Sequence, residues 1–210
     1  MLLTNLASAV FGFAMFAMTL ALPQVLQLPT ATGYGLGQSM LAAGLVMAPS
    51  GLVMMAMSPV SARISATRGP KVTLMLGAAT VAAGYGLGVA FMSSTWHLVA
   101  VSTVIGAGIG LAYGSMPALV MAAVPMSETA AANSLNTLMR AIGTSISSAV
   151  AGVVLAQLTV TSGAATFPSQ NGFRLVMAIG AAAALIAAFL PRRHMAPTAP
   201  VTATAPTGGQ

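Results

Sequence analysis

The chain has 210 residues, a formal net charge of +6 and only 4% charged residues, with a single carboxylate side chain. Soluble domains carry about 25% charged residues, so this chain has too little polar surface to cover a water-soluble globule, and its mean hydropathy of +0.93 indicates lipid as its solvent. The absence of cysteine excludes disulfides and thiolate metal sites, and two histidines give no support for hydrolytic zinc chemistry.

Six segments are long and apolar enough to cross a bilayer, which requires about 20 largely apolar residues per helix. The first lacks the basic residues that open a secretory signal peptide, so we predict that it is retained as a span. Gly, Pro, Ser, Thr or charged residues mark the breaks between segments. The predicted spans are residues 3–26, 36–57, 72–92, 97–124, 128–160 and 173–190.

The remaining segments are a basic loop at residues 63–71, a polar stretch at residues 161–172 and a tail at residues 191–210. The tail is rich in Pro, Ala and Thr, so we expect it to be disordered. The predicted fold is therefore an all-α membrane protein, with a six-helix bundle at residues 1–190 followed by this tail.

Basic residues predict the orientation, because short loops rich in Lys and Arg are retained in the cytoplasm. With six spans, both ends of the chain lie on one side of the membrane. That side carries five basic residues against Arg174 alone on the other, which predicts that both ends are cytoplasmic. Trp96, at the start of the fourth span, then lies at the outer interface, where its amphipathic ring is favoured. The five residues are Arg63, Arg68, Lys71, Arg192 and Arg193.

The fourth and second spans contain small residues and prolines. Gly106, Gly110 and Gly114 recur at helical spacing, which indicates close helix packing of the kind any membrane bundle needs. Pro49 and Pro117 lie inside predicted spans and favour kinked helices. Kinked helices suit a protein that changes shape, although proline is also commoner in membrane helices than in soluble ones.

The fifth span is the most polar. Asn133, Asn136 and Arg140 lie three and four residues apart on one helical face, which Gly143, Thr144 and Ser147 extend. Such a face should contact protein or water rather than lipid. An arginine at membrane depth costs about 2.5 to 3.5 kcal/mol on insertion scales. Two interpretations of Arg140 stay open, a place in a cavity and snorkelling to the cytoplasmic interface.

Glu128 and Gln24 each allow two interpretations as well. Glu128 is the only carboxylate side chain available for proton transfer, but its place after Ser127 at the start of the fifth span favours helix capping. Gln24 lies near the outer end of the first span, where its amide either contacts a ligand or is solvated at the interface.

Two runs in the first two spans resemble the carboxyl half of a major facilitator superfamily transporter, and in particular the fourteen-helix drug:proton antiporter group. These runs are Leu22-Pro23-Gln24-Val25-Leu26-Gln27 and Ala43-Gly44-Leu45-Val46-Met47-Ala48-Pro49-Ser50-Gly51. The Asn136, Arg140 and Gly143 pattern resembles that of the penultimate helix in the same group.

The basic loop resembles the superfamily's loop between the second and third helices of a half, usually written G-x-x-x-D-R-x-G-R-[RK]. Gly69 and Lys71 match this pattern, whereas Ala66 stands for the Asp and Thr67 for the Arg. This departure puts the gating role of that loop in doubt.

The resemblance implies two inverted three-helix repeats at about residues 1–92 and 93–190, with substrate bound between this half and another. It implies a transmembrane transporter of the inner cell membrane that exports lipophilic or cationic small molecules by alternating access. This chain is then a half-transporter that pairs with a second half or with its own copy. The alternative is a non-transporting remnant, or a regulatory membrane subunit that pairs with another membrane protein.

The expected partners are the lipid bilayer and a small-molecule substrate. No cofactor, metal, nucleic acid or enzymatic activity is expected, because the spans offer no pair of acids or imidazoles for catalysis. The resemblance implies substrate-cavity residues Gln24, Met47, Tyr113, Asn136 and Arg140, and cytoplasmic gating residues Arg63, Arg68, Gly69 and Lys71.

Overall fold

The computed structural model describes residues 2–162 and 165–189, and this part of the chain forms six long α-helices. Each of them is long and apolar enough to cross a membrane, which confirms the predicted all-α bundle. The tail predicted to be disordered, residues 191–210, lies outside the described residues. The helices are α1 (Leu2–Gln27), α2 (Met40–Arg68), α3 (Pro70–Ala90), α4 (Thr95–Met121), α5 (Thr129–Gln157) and α6 (Gln170–Phe189).

The helices pack with an approximate two-fold relation in which α1, α2 and α3 correspond to α4, α5 and α6. The contact between α1 and α5 is equivalent to that between α4 and α2, and the contact between α3 and α4 is equivalent to that between α6 and α1. α3 packs on its own equivalent, α6. Because each repeat has three spans, the second repeat runs in the opposite direction to the first, as in inverted-repeat transporters. The predicted boundary near residue 92 lies in the connection between α3 and α4, and the division of the chain into two repeats there stays a prediction.

Close backbone approach holds the two equivalent crossings together. Where α1 crosses α5, a Cβ atom at Gly12 would meet the carbonyl oxygen of Arg140, and one at Gly143 would meet that of Ala9. Where α4 crosses α2, a Cβ atom at Gly110 would lie 2.5 Å from a backbone oxygen of α2. Lipid gives no hydrophobic drive between helices, so the bundle depends on such close contacts. The packing role predicted for the glycines of α4 is confirmed.

The core lies among α1, α3, α4 and α6. Tyr85 of α3 is the largest of the fully buried side chains in the described part of the chain. A Cβ atom at Gly180 of α6 would lie 3.0 Å from its ring, and its hydroxyl donates to the carbonyl oxygen of Ala14 in α1. α2 and α5 lie outside this core, since a smaller share of their residues is buried than in the other four helices.

The predicted basic loop at residues 63–71 is wrong. α2 continues to Arg68, so Arg63 and Arg68 are exposed helical residues, and Gly69 alone separates α2 from α3. Gly69 has φ +87°, which glycine adopts at little cost, and α3 begins directly with a proline, the residue favoured at the first helical position. The prediction ended the second span at residue 57, before Ser58 and Pro59, but membrane helices tolerate proline where neighbouring groups satisfy the backbone.

The start of α5 also differs from the prediction. Ser127 and Glu128 lie in a short 3-10 turn (Met126–Glu128) that precedes the helix. Glu128 takes the N-cap position without a side-chain capping bond. The capping role predicted for Glu128 is therefore only partly correct. Glu128 lies at the N-terminus of α5, where the helix dipole stabilises an acid, but no side-chain hydrogen bond caps the helix.

The polar stretch between α5 and α6 contains a hairpin that the sequence did not predict. Strands β1 (Thr159–Ser162) and β2 (Ala165–Pro168) pair antiparallel, with Val160 opposite Phe167. The backbone N–H of Ser169 donates to the carbonyl oxygen of Leu158 at 2.6 Å. This bond extends the pairing to the end of α5.

Two hydrogen bonds fix the hairpin to the connection between α1 and α2. The hydroxyl of Tyr34 donates to the carbonyl oxygen of Pro168. The hydroxyl of Ser162 donates to that of Ala31 at 3.2 Å. Burial raises the pKa of the Tyr34 phenol above its ordinary value of 10.0, so the phenol stays a donor at neutral pH. The hairpin thus joins both repeats at one end of the bundle.

Candidate functional site

A buried polar contact joins α1, α4 and α5. Asn136 of α5 is 6% exposed, and its Nδ2 donates to Oγ of Ser8 at 2.6 Å and to Oδ1 of Asn5 at 3.4 Å. The Ser8 hydroxyl also lies 3.5 Å from the sulfur of Met116 in α4. Lipid cannot satisfy polar groups, so these side chains satisfy one another. The contact fixes α5 against α1 at this depth.

Arg140 lies one helical turn beyond Asn136 and is half-buried. Its guanidinium carbon lies over the ring of Tyr113 in α4, 4.9 Å from the centroid, which is a cation–π contact. The Tyr113 hydroxyl donates to the sulfur of Met15 at 3.1 Å, and its oxygen can accept a hydrogen bond from Arg140. Arg140 is the twelfth of the 29 residues of α5, so this contact lies near the middle of the bundle.

The charge of Arg140 has no acidic partner within the six α-helices. Glu128, the only carboxylate side chain, lies twelve residues earlier, or about 18 Å along the chain at 1.5 Å per residue. A cation–π contact offsets about 0.5 to 2 kcal/mol, whereas an arginine at membrane depth costs about 2.5 to 3.5 kcal/mol. Water, snorkelling or an acceptor outside this chain must therefore offset the rest.

α5 has three faces. The face against α1 is buried and includes Asn136, Gly143 and Ser147. A second face carries large apolar side chains that are 40% to 63% exposed, as expected of residues that meet lipid. Between these faces runs a third, which we call the α5 stripe, and Arg140 borders it. The second face consists of Leu135, Leu138, Ile142, Ile146 and Val153. The α5 stripe consists of the exposed small or polar residues Thr137, Ala141, Ser148 and Gly152.

α2 has a similar face, the α2 stripe, formed by the exposed residues Gly44, Ala48 and Gly51. Within the described part of the chain, a Cβ atom at Gly44, Gly51 or Gly152 would meet no atom within 4 Å. The glycines of the helix crossings, by contrast, leave no room for a Cβ. The two stripes therefore have open space at their glycines within the described residues.

Gln24 lies at the end of α1 that carries the hairpin. It lines an open groove of about 440 Å³ with Ser148 and Gly152 of the α5 stripe and with Thr166 and Phe167 of the hairpin. The lining offers neutral hydrogen-bonding groups beside apolar ones.

The structure brings together three of the predicted cavity residues, Tyr113, Asn136 and Arg140. Gln24 lies in the groove near the hairpin, and Met47 is half-buried in α2 against the core. The predicted gating residues lie at the α2–α3 turn, with Arg63, Arg68 and Lys71 exposed and Gly69 forming the turn itself. The substrate and gating roles of all these residues stay predictions.

Three residues of the site were not predicted, namely Asn5, Ser8 and Met15 of α1. Asn5 and Ser8 are polar residues three apart in an otherwise apolar segment, so they share a helical face. That spacing was a usable signal. Met15 gave none, because methionine is common throughout this chain.

Residues 2–208, nearly the whole chain, match the family model of the Major Facilitator Superfamily. This match covers all six helices of the bundle. The chain belongs to the major facilitator superfamily. The superfamily is a family of transporters, so the six spans make up a multi-pass membrane protein of transporter type. A search of curated proteins finds no match.

Arg140, Tyr113 and the two stripes can be placed on the helices of this bundle. Arg140 and Tyr113 lie on α5 and α4, away from the ends of both helices. The two stripes lie on α2 and α5, the helices that are least covered by the rest of the bundle.

Proposed function

We propose that this chain is one six-helix half of an exporter, which packs against a second six-helix unit and moves small molecules by alternating access. The observation that carries this proposal is the pair of uncovered stripes on α2 and α5. In lipid, small residues at helical spacing serve close helix contact. A second unit on both stripes would enclose Arg140 and Tyr113 at the interface between the two units.

The cargo in this proposal is lipophilic. An apolar wall rich in methionine with few charges favours lipophilic or cationic molecules over sugars and phosphates. Of these two classes, lipophilic molecules fit the position of Arg140 better. A cation placed beside its guanidinium would meet a like charge in a medium of low dielectric, where repulsion is strong.

The membrane in this proposal is the inner cell membrane, with both ends of the chain in the cytoplasm. The exposed residues Arg63, Arg68 and Lys71 then lie at the cytoplasmic end, where basic residues are retained. Trp96, 79% exposed at the start of α4, lies at the other end. In this setting the basic residues beside Gly69 contact the second unit when the cytoplasmic side closes.

Single cysteines test the second unit, because the chain has no cysteine of its own. A bimane fluorophore attached at Gly44→Cys or Gly152→Cys should be quenched little by spin-labelled lipids in the assembled protein, because the second unit keeps lipid away. The same fluorophore at the matched variants Ile146→Cys and Val153→Cys faces lipid and should be quenched strongly. Separating the units and reconstituting this chain alone should remove the difference. Equal quenching at all four positions in the assembled protein would contradict the proposal.

Dye transport tests the exporter itself. Membrane vesicles with the intact assembly should accumulate or expel a neutral lipophilic dye, and Tyr113→Ala should reduce the rate without removing the protein from the membrane. If the stripes are covered but no dye moves under any ion gradient, the chain belongs to a non-transporting or regulatory subunit instead.

A further inference from the structure

We propose that Arg140 and Tyr113 form a receptor for the carboxylate of an amphipathic cargo molecule. This inference rests on the proposed function and narrows its substrate class to lipophilic anions. The feature that leads to it is an arginine twelve residues into α5, in a bundle whose six α-helices contain no carboxylate side chain. The positive charge of Arg140 requires an acceptor that offsets its cost at this position.

Partners inside the chain are insufficient. A guanidinium carries five N–H donors. The Tyr113 ring meets the positive charge at 4.9 Å, and the Tyr113 oxygen offers lone pairs, since its proton is donated to Met15. Neither supplies a negative charge. A carboxylate would bind the guanidinium through two parallel N–H···O bonds, the strongest pairing open to it.

The position of Arg140 also favours a hydrogen-bond acceptor that binds reversibly, rather than a permanent partner. Its backbone carbonyl packs against Gly12 and accepts from Thr144 at 3.0 Å, so the helix around it is fixed. The side chain is only half-buried and borders the exposed α5 stripe, where Thr137 adds a hydroxyl one turn away. A fixed backbone with an accessible charged end is the arrangement of a binding residue.

The surroundings specify the rest of the ligand. The sulfur of Met15 and the Tyr113 ring present apolar, polarizable surface next to the guanidinium. Methionine adapts to irregular apolar groups. A ligand with a carboxylate and a flexible or aromatic apolar body fits this pairing, whereas an organic cation places like charges together.

Three photoreactive probes with the same alkyl chain and a carboxylate, alcohol or trimethylammonium head group test the inference. The full chain is placed in nanodiscs of phosphatidylcholine, and labelled residues are mapped by mass spectrometry. The carboxylate probe should label α1, α4 and α5 around Arg140 saturably, and about tenfold more strongly than the alcohol, as expected for a hydrogen bond to a charged group. The trimethylammonium probe should give no saturable labelling there.

The variants test the role of the charge. Arg140→Gln should lose the carboxylate preference, and Arg140→Lys should keep part of it. Arg174→Gln, which removes one positive charge near the start of α6, should keep all of it. Gel filtration and helical circular dichroism check that each variant is folded. The comparison of probes on the unchanged chain does not depend on any variant.

Two outcomes would overturn the inference. One is equal labelling by all three probes. The other is no saturable labelling by the carboxylate probe. Arg140-dependent binding of a Leu/Ala membrane helix that carries one Glu would then show that a partner protein matches the charge. Binding is measured independently of transport, so the two hypotheses can fail separately. Dye transport without carboxylate binding would contradict this inference alone. Carboxylate binding without any transport would contradict the proposed function alone.

Discussion

At the scale of single residues, the glycines of this chain separate into two kinds. Gly143 leaves no room for a side chain because the Ala9 backbone lies against it, whereas Gly152 has open space in the described part of the chain. Gly143→Leu should therefore lower the free energy of unfolding by about 1 to 3 kcal/mol through overpacking. Unfolding in mixed detergent micelles measures this.

The matched control is Gly152→Leu. In the isolated chain it should change the free energy of unfolding little, because a Cβ at this position meets no atom within 4 Å and the site opens onto a groove. Equal destabilisation by both substitutions would show that helix propensity, rather than the crossing of α1 and α5, sets the effect.

Asn136 supports a second prediction. Its amide donates to Ser8 at 2.6 Å inside the bundle, and hydrogen bonds between membrane helices contribute about 0.6 to 2 kcal/mol. Asn136→Leu should destabilise the bundle by that amount in the same assay. Asn133→Leu is the control, because Asn133 is exposed on the same helix. A larger loss for the exposed residue would contradict the contact with α1.

At the scale of elements, the hairpin links the two repeats through Tyr34 and Pro168. Tyr34→Phe removes the donor and keeps the ring. Amide hydrogen exchange should therefore rise in β1 and β2, with little change in α3. Unchanged exchange in the hairpin would mean that the Ser162 bond to Ala31 holds it alone.

The same tyrosine gives a dependence on pH. Burial raises the pKa of the Tyr34 phenol above 10.0, so the folded chain holds the proton more tightly than the unfolded chain. The resulting stabilisation is fully present below pH 10.0 and is lost as the pH rises through the raised pKa. The phenolate absorbance of the chain minus that of Tyr34→Phe should show a midpoint above 10.0. A midpoint at or below 10.0 would contradict the burial.

The sequence predicted the elements that local hydropathy determines, and it missed those that depend on contacts with other parts of the bundle. Hydropathy alone located all six spans, because each must match the bilayer. The continuation of α2 through Pro59 could not be predicted, since it depends on neighbours that satisfy the backbone. The hairpin had a signal in the alternation Thr159, Val160, Thr161 before Gly163, which is typical of a strand and turn.

The site was predictable only where spacing within a single helix determines it. Helical spacing placed Asn136 and Arg140 on one face of α5. Their partners Ser8 and Tyr113 lie on other helices. Which helices become neighbours is decided by the packing of the whole bundle, and spacing within one helix carries no information about it.

At the scale of the whole molecule, the two-fold relation gives α2 and α5 equivalent, weakly covered positions. If they form the contact with a second unit, bulky residues there should block assembly without unfolding the bundle. The double variant Gly44→Trp with Gly152→Trp should keep its helicity in detergent and lose dye transport in vesicles. Retained transport would show that the stripes face lipid.

The central claim is that these six helices cross a membrane in alternation, with basic residues at one face. Single cysteines at Thr67, Trp96, Glu128 and Val160 lie between successive spans or at their ends, and the chain has no other cysteine. An impermeant maleimide added to sealed right-side-out vesicles should label Trp96→Cys and Val160→Cys, and reach Thr67→Cys and Glu128→Cys only after permeabilisation. Labelling of Trp96→Cys and Glu128→Cys from the same side would contradict the account.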